Sequence, residues 1–308
     1  MLNDAVSYYC SNAGNISYGN ISGWDVSATT HLKNTFERIQ TQISCNIYGI
    51  NDWTMPNLRA CEFTFYDFQY RGALNWDTSK VTVATGMFEQ SHMEVDVSAW
   101  NLNALQVGVR MFKSVSAFPT GVSSWRPSLT QTSYMFQSSA FNGDISQWNM
   151  GNLKVSTAMF KDASLFDQDI SGWNTGSLLR AQEMFKGATS FNQDLSMWNT
   201  QKLQRVDNMF HGATTFDQDL SGWDVSQLTD YASMFTNSGL SGCNGLKIRD
   251  AWATTLAVDA QQLGTDLGLS SVECNPPAPP SPPPSPPPPP PPAAPPPPPP
   301  ALAPPPAR

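Results

Sequence analysis

The stretch Phe191–Trp198 reads Phe-Asn-Gln-Asp-Leu-Ser-Met-Trp, and it decides how most of this chain folds. It is followed by regularly spaced apolar residues, namely Leu203, Val206, Met209 and Phe210. The same pattern recurs from Phe166 to Phe185 before it and from Phe216 to Phe235 after it. Because it returns at an interval of about 25 residues, the pattern predicts a solenoid built from repeated units.

Each tryptophan of the array is followed by a phenylalanine, and this pairing gives the register of nine units. The two residues are twelve apart in Trp24/Phe36, Trp53/Phe65, Trp76/Phe88, Trp100/Phe112, Trp148/Phe160, Trp173/Phe185, Trp198/Phe210 and Trp223/Phe235, and eleven apart in Trp125/Phe136. Ordering one unit costs on the order of 35 kcal/mol, whereas burying its large apolar side chains yields about 10–15 kcal/mol. A single unit therefore cannot fold alone, and we expect each Trp and Phe to pack on its copy in the next unit.

Two periods alternate within a unit. Leu203, Val206, Met209 and Phe210 fall on one face of a helical or 3-10 turn. The segment Phe216–Leu220 alternates apolar and polar residues, as a short strand does. We therefore predict an α/β repeat solenoid in which each unit has a short parallel strand, a turn carrying Trp and a helical turn ending in Met-Phe.

The sequence divides into four predicted segments. These are an N-terminal cap at 1–23, the repeat solenoid at 24–240, a C-terminal cap at 241–274 and a polyproline tail at 275–308. The C-terminal cap includes a predicted helix at Ile248–Leu263 that covers the open end of the solenoid. Of 26 prolines, only Pro56, Pro119 and Pro127 precede the tail, which we expect to be a disordered polyproline-II rod without a core.

Composition and cysteines bear on the compartment and the partners. The net charge of −8 and the absence of a Lys/Arg cluster argue against binding to nucleic acid.

The five cysteines lie at the two ends of the array and favour disulfides in an oxidising compartment. Cys243–Cys274 is the favoured pair, and the others are Cys10, Cys45 and Cys61. Asn15 and Asn20 begin N-glycosylation sequons. The start of the chain lacks the pattern of a signal peptide, so a secreted chain requires a fragment, a mature form or a wrongly assigned start. No apolar run is long enough for a transmembrane segment.

Met-Phe followed by Phe-Asn-Gln-Asp-Leu/Ile-Ser-x-Trp-Asn/Asp resembles the repeat of the BspA-type leucine-rich-repeat surface proteins, also called the mycoplasma lipoprotein repeat family. The resemblance is close across Phe141–Phe235 and degenerate across Trp24–Trp125. The run from Ser281 to Ser285 is similar to hydroxyproline-rich stretches of algal and plant wall glycoproteins, so the whole chain looks like an algal form. The family implies a parallel leucine-rich-repeat-like solenoid, surface display or adhesion, and no catalytic residue.

Acidic and amide side chains recur at fixed positions and give two candidate sites. Asp144, Asp169, Asp194 and Asp219 could line a Ca²⁺-binding strip, but we favour turn residues that bond the neighbouring backbone. For Asn149, Asn174, Asn199 and Asp224 we expect bonds to the backbone of a buried turn. The histidines His31, His92 and His211 are isolated and join no catalytic motif. We therefore expect no enzymatic activity and no cofactor.

The function favoured by the sequence is non-enzymatic adhesion at the cell surface or in the extracellular matrix. We predict that the solenoid binds protein or glycan multivalently, through Gln168, Gln193, Gln218, Asp167 and Asp217, with the proline-rich rod as a spacer. The alternative is an intracellular scaffold whose tail binds profilin, SH3 or WW-type partners. A third possibility left open by the sequence is a fragment whose missing part carries an enzyme.

Overall fold

The structure is a computed structural model, and it describes residues 2–11, 20–37, 47–269 and 274. The chain divides after Asn275, and the predicted rod at 275–308 lies outside the described residues. The helices are α1 (Leu2–Ser11), α2 (Gly242–Leu256) and α3 (Ala260–Asp266), with 3-10 turns at Ile21–Gly23, Tyr48–Asp52 and Val122–Ser124. The strands form two parallel pairs, β1 (His31–Lys33) with β2 (Ala60–Glu62) and β3 (Gln69–Ala73) with β4 (His92–Asp96).

A single row of parallel pairing joins the nine units in chain order. It begins with His31 of β1 against Ala60 of β2, and isolated bridges extend it through Val83, Val107, Gln131, Val155, Arg180, Arg205 and Asp230. Each of these residues lies five positions before the Phe that ends its unit in the sequence pattern. Every unit is therefore held in the same register against its neighbours.

The segment after each bridge carries a backbone ladder although it is neither helix nor strand. The N–H groups of Ala181, Glu183, Phe185 and Gly187 donate to the carbonyls of Arg205, Asp207, Met209 and His211 in the next unit, at 2.8–3.0 Å. The N–H groups in between turn back within the unit, as Met184 does to the Ala181 carbonyl at 3.2 Å. Left-handed residues such as Glu183 (φ 54°) and Gly187 (φ 69°) make this alternation possible.

Two local expectations are corrected by the structure. The apolar residues from Leu203 to Phe210 are buried as expected, but they lie in turns interrupted by left-handed Asn208 (φ 56°) rather than in the helical or 3-10 turn that we expected. The strand expected at Phe216–Leu220 is not formed. Its burial does not alternate, because only the two end residues are buried and the three polar residues between them are all partly exposed.

Rings from equivalent positions stack into columns through the core. The phenylalanine column is unbroken, with centroids of successive rings 5.3–5.7 Å apart; its members are Phe36, Phe65, Phe88, Phe112, Phe136, Phe160, Phe185, Phe210 and Phe235. Tryptophans from Trp53 to Trp252 are at most 4% exposed, which confirms that they are core residues. Apart from that of Trp148, their indole N–H groups donate to the preceding unit, as Trp198 does to the Ile170 carbonyl at 3.1 Å.

The C-terminal cap consists of two helices instead of the single helix expected at Ile248–Leu263. α2 ends where Ala257 adopts a left-handed conformation (φ 54°), and Asp259 then caps α3. Trp252 of α2 stacks on Trp223 at 6.2 Å and so extends the tryptophan column beyond the last repeat. The N–H of Phe235 donates to the Leu267 carbonyl at 2.9 Å, so the cap also closes the backbone ladder.

Removing one ring of the phenylalanine column should destabilise the array. We expect Phe185→Ala to lower the free energy of unfolding by about 3–5 kcal/mol, because it leaves a cavity between two stacked rings. Urea unfolding of the full chain measures this difference. Met197→Ala is the matched control, since Met197 is 81% exposed, and it should stay within about 0.5 kcal/mol of the parent. Equal effects of the two changes would contradict a core made of ring columns.

Candidate functional site

A set of four residues forms what we call the side-chain ladder: Asn142, Asp167, Asn192 and Asp217. Each follows the column phenylalanine of its unit by six or seven positions. Asn142 Oδ1 accepts from the N–H of Asp167 at 3.0 Å, and Asp167 Oδ1 accepts from the N–H of Asn192 at 2.9 Å. In the same way, Asn192 Oδ1 accepts from the N–H of Asp217 at 2.9 Å, and Asp217 Oδ1 accepts from the N–H of Ser241 at 2.8 Å. Side chains here supply the acceptors that backbone carbonyls supply between β3 and β4.

The three glutamines predicted to contact a partner are bound to this ladder. The Nε2 atoms of Gln168, Gln193 and Gln218 donate to Oδ1 of Asn142, Asp167 and Asn192, at 2.8–3.0 Å. Asn244 of α2 makes the same contact with Asp217 at 3.0 Å. The structure therefore brings all five predicted interaction residues into one row, where their polar groups also hold successive units together.

The aspartates that could have lined a Ca²⁺ strip act as turn residues. Oδ1 of Asp144, Asp169, Asp194 and Asp219 accepts from the backbone N–H of the serine two positions later, at 2.8–3.0 Å. Within the described part of the chain, no group of three or more His, Cys, Asp or Glu side chains is arranged to hold a metal ion. Hydrogen bonds from the side chain and backbone of Ser171 hold the pKa of Asp169 below its ordinary value.

A second row of turns follows the tryptophans of the last four units. Oδ1 of Asn149, Asn174, Asn199 and Asp224 accepts from the backbone N–H two residues later, at 3.0–3.2 Å. The expected bonding to the backbone is thus present, but the expected burial is wrong because all four residues are exposed. Only the neighbouring indole rings need burial, so the turn itself stays at the surface.

The cysteines and sequons lie near the two ends of the array. A disulfide joins Cys243 of α2 to Cys274, the pair favoured from the sequence, with Cα atoms 4.4 Å apart. Cys10 is also disulfide-bonded, whereas Cys61 is a buried free thiol whose burial raises its pKa to about 12. Asn20 is exposed and its side chain caps a 3-10 turn; Cys45 and Asn15 lie outside the described residues.

The histidines are not brought together. His31 Nδ1 lies 2.9 Å from the hydroxyl of Thr30, and His92 Nδ1 lies 3.0 Å from that of Ser116. The third histidine, His211, is partly buried, and its Nδ1 atom has no partner among the described residues. In the parts that the structure covers, no helix has both the length and the apolar composition needed to cross a bilayer.

Comparison with known families identifies the repeat. The family described as "Mycoplasma protein of unknown function, DUF285" matches residues 5–70, 40–140 and 130–244, which together cover the array and both of its flanks. The chain therefore belongs to this family, and the resemblance to a mycoplasma repeat family is confirmed at that level. Comparisons with curated proteins and with solved structures give no match.

The side-chain ladder can be tested with one matched pair of variants. Asp167→Ala removes the acceptor used by Asn192 and Gln193, and we expect it to lower the free energy of unfolding by about 1–3 kcal/mol. Asp167→Asn should stay within about 0.5 kcal/mol of the parent, because Asn142 and Asn192 already perform this role in adjacent units. Thermal and urea unfolding measure both. If Asn is as damaging as Ala, the contact depends on charge and the ladder is misassigned.

The turn aspartates predict how stability depends on pH. Hydrogen bonds to serine lower the pKa of Asp144, Asp169 and Asp224 from the ordinary 3.8, so the stability they give is complete above that value and lost as the pH falls below it. Asp207 has the opposite effect on stability. Burial and the Asp230 charge raise its pKa, so its ionisation lowers the stability of the fold as the pH rises. We expect the melting temperature of Asp169→Asn to fall less in acid than that of the parent. Identical pH profiles would contradict the assignment.

Proposed function

We propose that this chain is a non-enzymatic protein of the cell surface or extracellular matrix. In this proposal the repeats form a leucine-rich-repeat-like solenoid of the BspA type, which adheres to a protein or glycan through several equivalent contacts. The observation that carries the proposal is the recurrence of exposed polar residues at one place in several units, such as Asp144, Asp169 and Asp194. Many copies of one weak contact on a common scaffold give strong binding overall.

Features at the ends of the chain support an extracellular setting. The Cys243–Cys274 disulfide is typical of oxidising compartments, and the exposed Asn20 begins a glycosylation sequon. We propose that the proline-rich segment acts as a spacer in an algal type of wall or surface protein. At ~3.1 Å per residue it would extend roughly 100 Å in polyproline-II form.

A second candidate function is an intracellular scaffold. It is favoured by the density of prolines after Asn275, because exposed polyproline-II segments bind the aromatic grooves of profilin, SH3 and WW domains. In that setting the array would serve as the folded anchor for the tail.

Repeat deletion tests multivalent adhesion. Removing residues 178–202 joins equivalent positions and shortens the array by one unit, and removing 153–202 shortens it by two. We expect binding of the full chain to intact cells or matrix to fall at least about tenfold per unit removed, since each unit adds a contact with a high effective concentration. Circular dichroism and melting temperature control for folding. Unchanged binding after both deletions would contradict the proposal.

Mass spectrometry of the protein from its native source separates the two settings. The extracellular proposal predicts glycans at Asn15 or Asn20, hydroxyproline in the tail and an oxidised Cys243–Cys274 pair. Unmodified prolines together with reduced Cys243 and Cys274 would favour the scaffold and contradict surface display.

A further inference from the structure

One left-handed position in each unit carries side chains that are unusual for its backbone. The residue two places before the column Phe has a φ between 48° and 60° in all nine units, and it is Asn, Gly, Ala, Glu or Ser in six of them. In the other three it is Phe63 (φ 48°), Arg110 (φ 56°) and Tyr134 (φ 60°). A bulky aromatic residue is disfavoured in this conformation, and such strain often marks a functional position.

These side chains lie in one row on the surface of neighbouring units. The N–H groups of Phe63, Gly86 and Arg110 each donate to the next unit, at 2.8–2.9 Å, so the positions follow one another in register. Phe63 lies against Gly86, where an added Cβ would come within 2.3 Å of the ring. The glycine therefore leaves room for the ring to lie flat over it.

Five residues form what we call the aromatic patch: Phe63, Tyr66, Gln90, Arg110 and Tyr134. The rings of Phe63 and Tyr66 meet edge to face with centroids 6.1 Å apart, and the Tyr66 hydroxyl donates to Gln90 Oε1 at 3.0 Å. The guanidinium carbon of Arg110 lies 5.8 Å from the centroid of the Tyr134 ring. The three rings are partly exposed, and Arg110 and Gln90 are exposed.

Arg110 gives the patch a positive charge that lies beside an aromatic ring. Its guanidinium has no carboxylate partner among the described residues, whereas two lysines of the array each form an ion pair with a glutamate. Lys113 pairs with Glu89 at 3.2 Å, and Lys161 pairs with Glu183 at 2.8 Å. In a chain with a net charge of −8, an unpaired arginine on an aromatic ring is suited to bind an external anion.

We propose that the aromatic patch binds an acidic oligosaccharide at a single site, which goes beyond the proposed multivalent adhesion. The ring faces would pack on the apolar C–H faces of the sugars, and Arg110 would pair with a sugar carboxylate through two parallel hydrogen bonds. The Gln90 amide, with both a donor and an acceptor, suits sugar hydroxyls. A proline-rich peptide is less suited, because it would leave the guanidinium without an anion.

The test is calorimetric titration of the full chain with oligogalacturonate, in parallel with an uncharged cello-oligosaccharide. We expect the acidic probe to bind and the uncharged one to bind at least about tenfold more weakly, as loss of a charge-assisted pair predicts. Arg110→Gln and Tyr134→Asn should each weaken oligogalacturonate binding at least about tenfold. Asn suits the left-handed backbone at position 134, so the melting temperature should not fall.

Arg180→Gln is the matched control. Arg180 is exposed and has no ion pair among the described residues, so this change removes the same charge away from the aromatic patch and should leave binding intact. Parent-like affinity of Arg110→Gln and Tyr134→Asn, equal loss in Arg180→Gln, or preference for a proline-rich peptide over oligogalacturonate would each overturn the proposal.

The deletion of 153–202 leaves all five patch residues in place. Oligogalacturonate binding should therefore survive it even where multivalent adhesion is lost, and the two proposals can fail separately.

Discussion

Alternate backbone N–H groups in each unit can be satisfied only by the next unit, and the rest of the structure depends on this constraint. An unpaired buried N–H is costly, so a unit such as 178–202 has no stable arrangement on its own. The same constraint explains the ends of the array. At one end the carbonyls of Asp266 and Leu267 accept the last N–H groups, and at the other Asn3 of α1 accepts from the Thr35 hydroxyl at 2.9 Å and donates to the Lys33 carbonyl. These cap contacts occupy backbone groups that another chain could otherwise pair with.

The array satisfies this constraint in two ways along its length. Up to Thr120 the segment after the phenylalanine column pairs through its backbone, as β3, β4 and the bridge from Asp96 to Thr120 show. From Asn142 onward the side-chain ladder takes over. Trp148 lies near this change, and it is the tryptophan whose buried indole N–H has no acceptor among the described residues. The left-handed residues contact the next unit through their backbone N–H groups. Their side chains are therefore free to vary, and Phe63 and Tyr134 occur at two of these positions.

The sequence predicts the periodic core and its register well, because burial follows from apolar identity and spacing. Leu203, Met209 and Phe210 are buried as their spacing predicts. The conformation is harder to predict, because turns with left-handed residues such as Asn208 produce the same three-residue spacing as a helix. The roles of Gln193 and Asp167 could not be read from polarity, since a side chain bonded to the next unit and one that faces a partner have the same chemistry. For the aromatic patch, the signal was Phe or Tyr at a position that otherwise holds small or polar residues.

Amide hydrogen exchange at single-residue resolution tests the central claim most directly. Ala181, Glu183, Phe185 and Gly187 lie in turns, so conventional turn geometry alone would let them exchange quickly. Because each donates to the following unit, we expect all four to exchange as slowly as amides of a stable sheet, while the exposed Asn174, whose N–H makes none of these contacts, exchanges fast. Rapid exchange of the four amides in the folded chain would contradict the account.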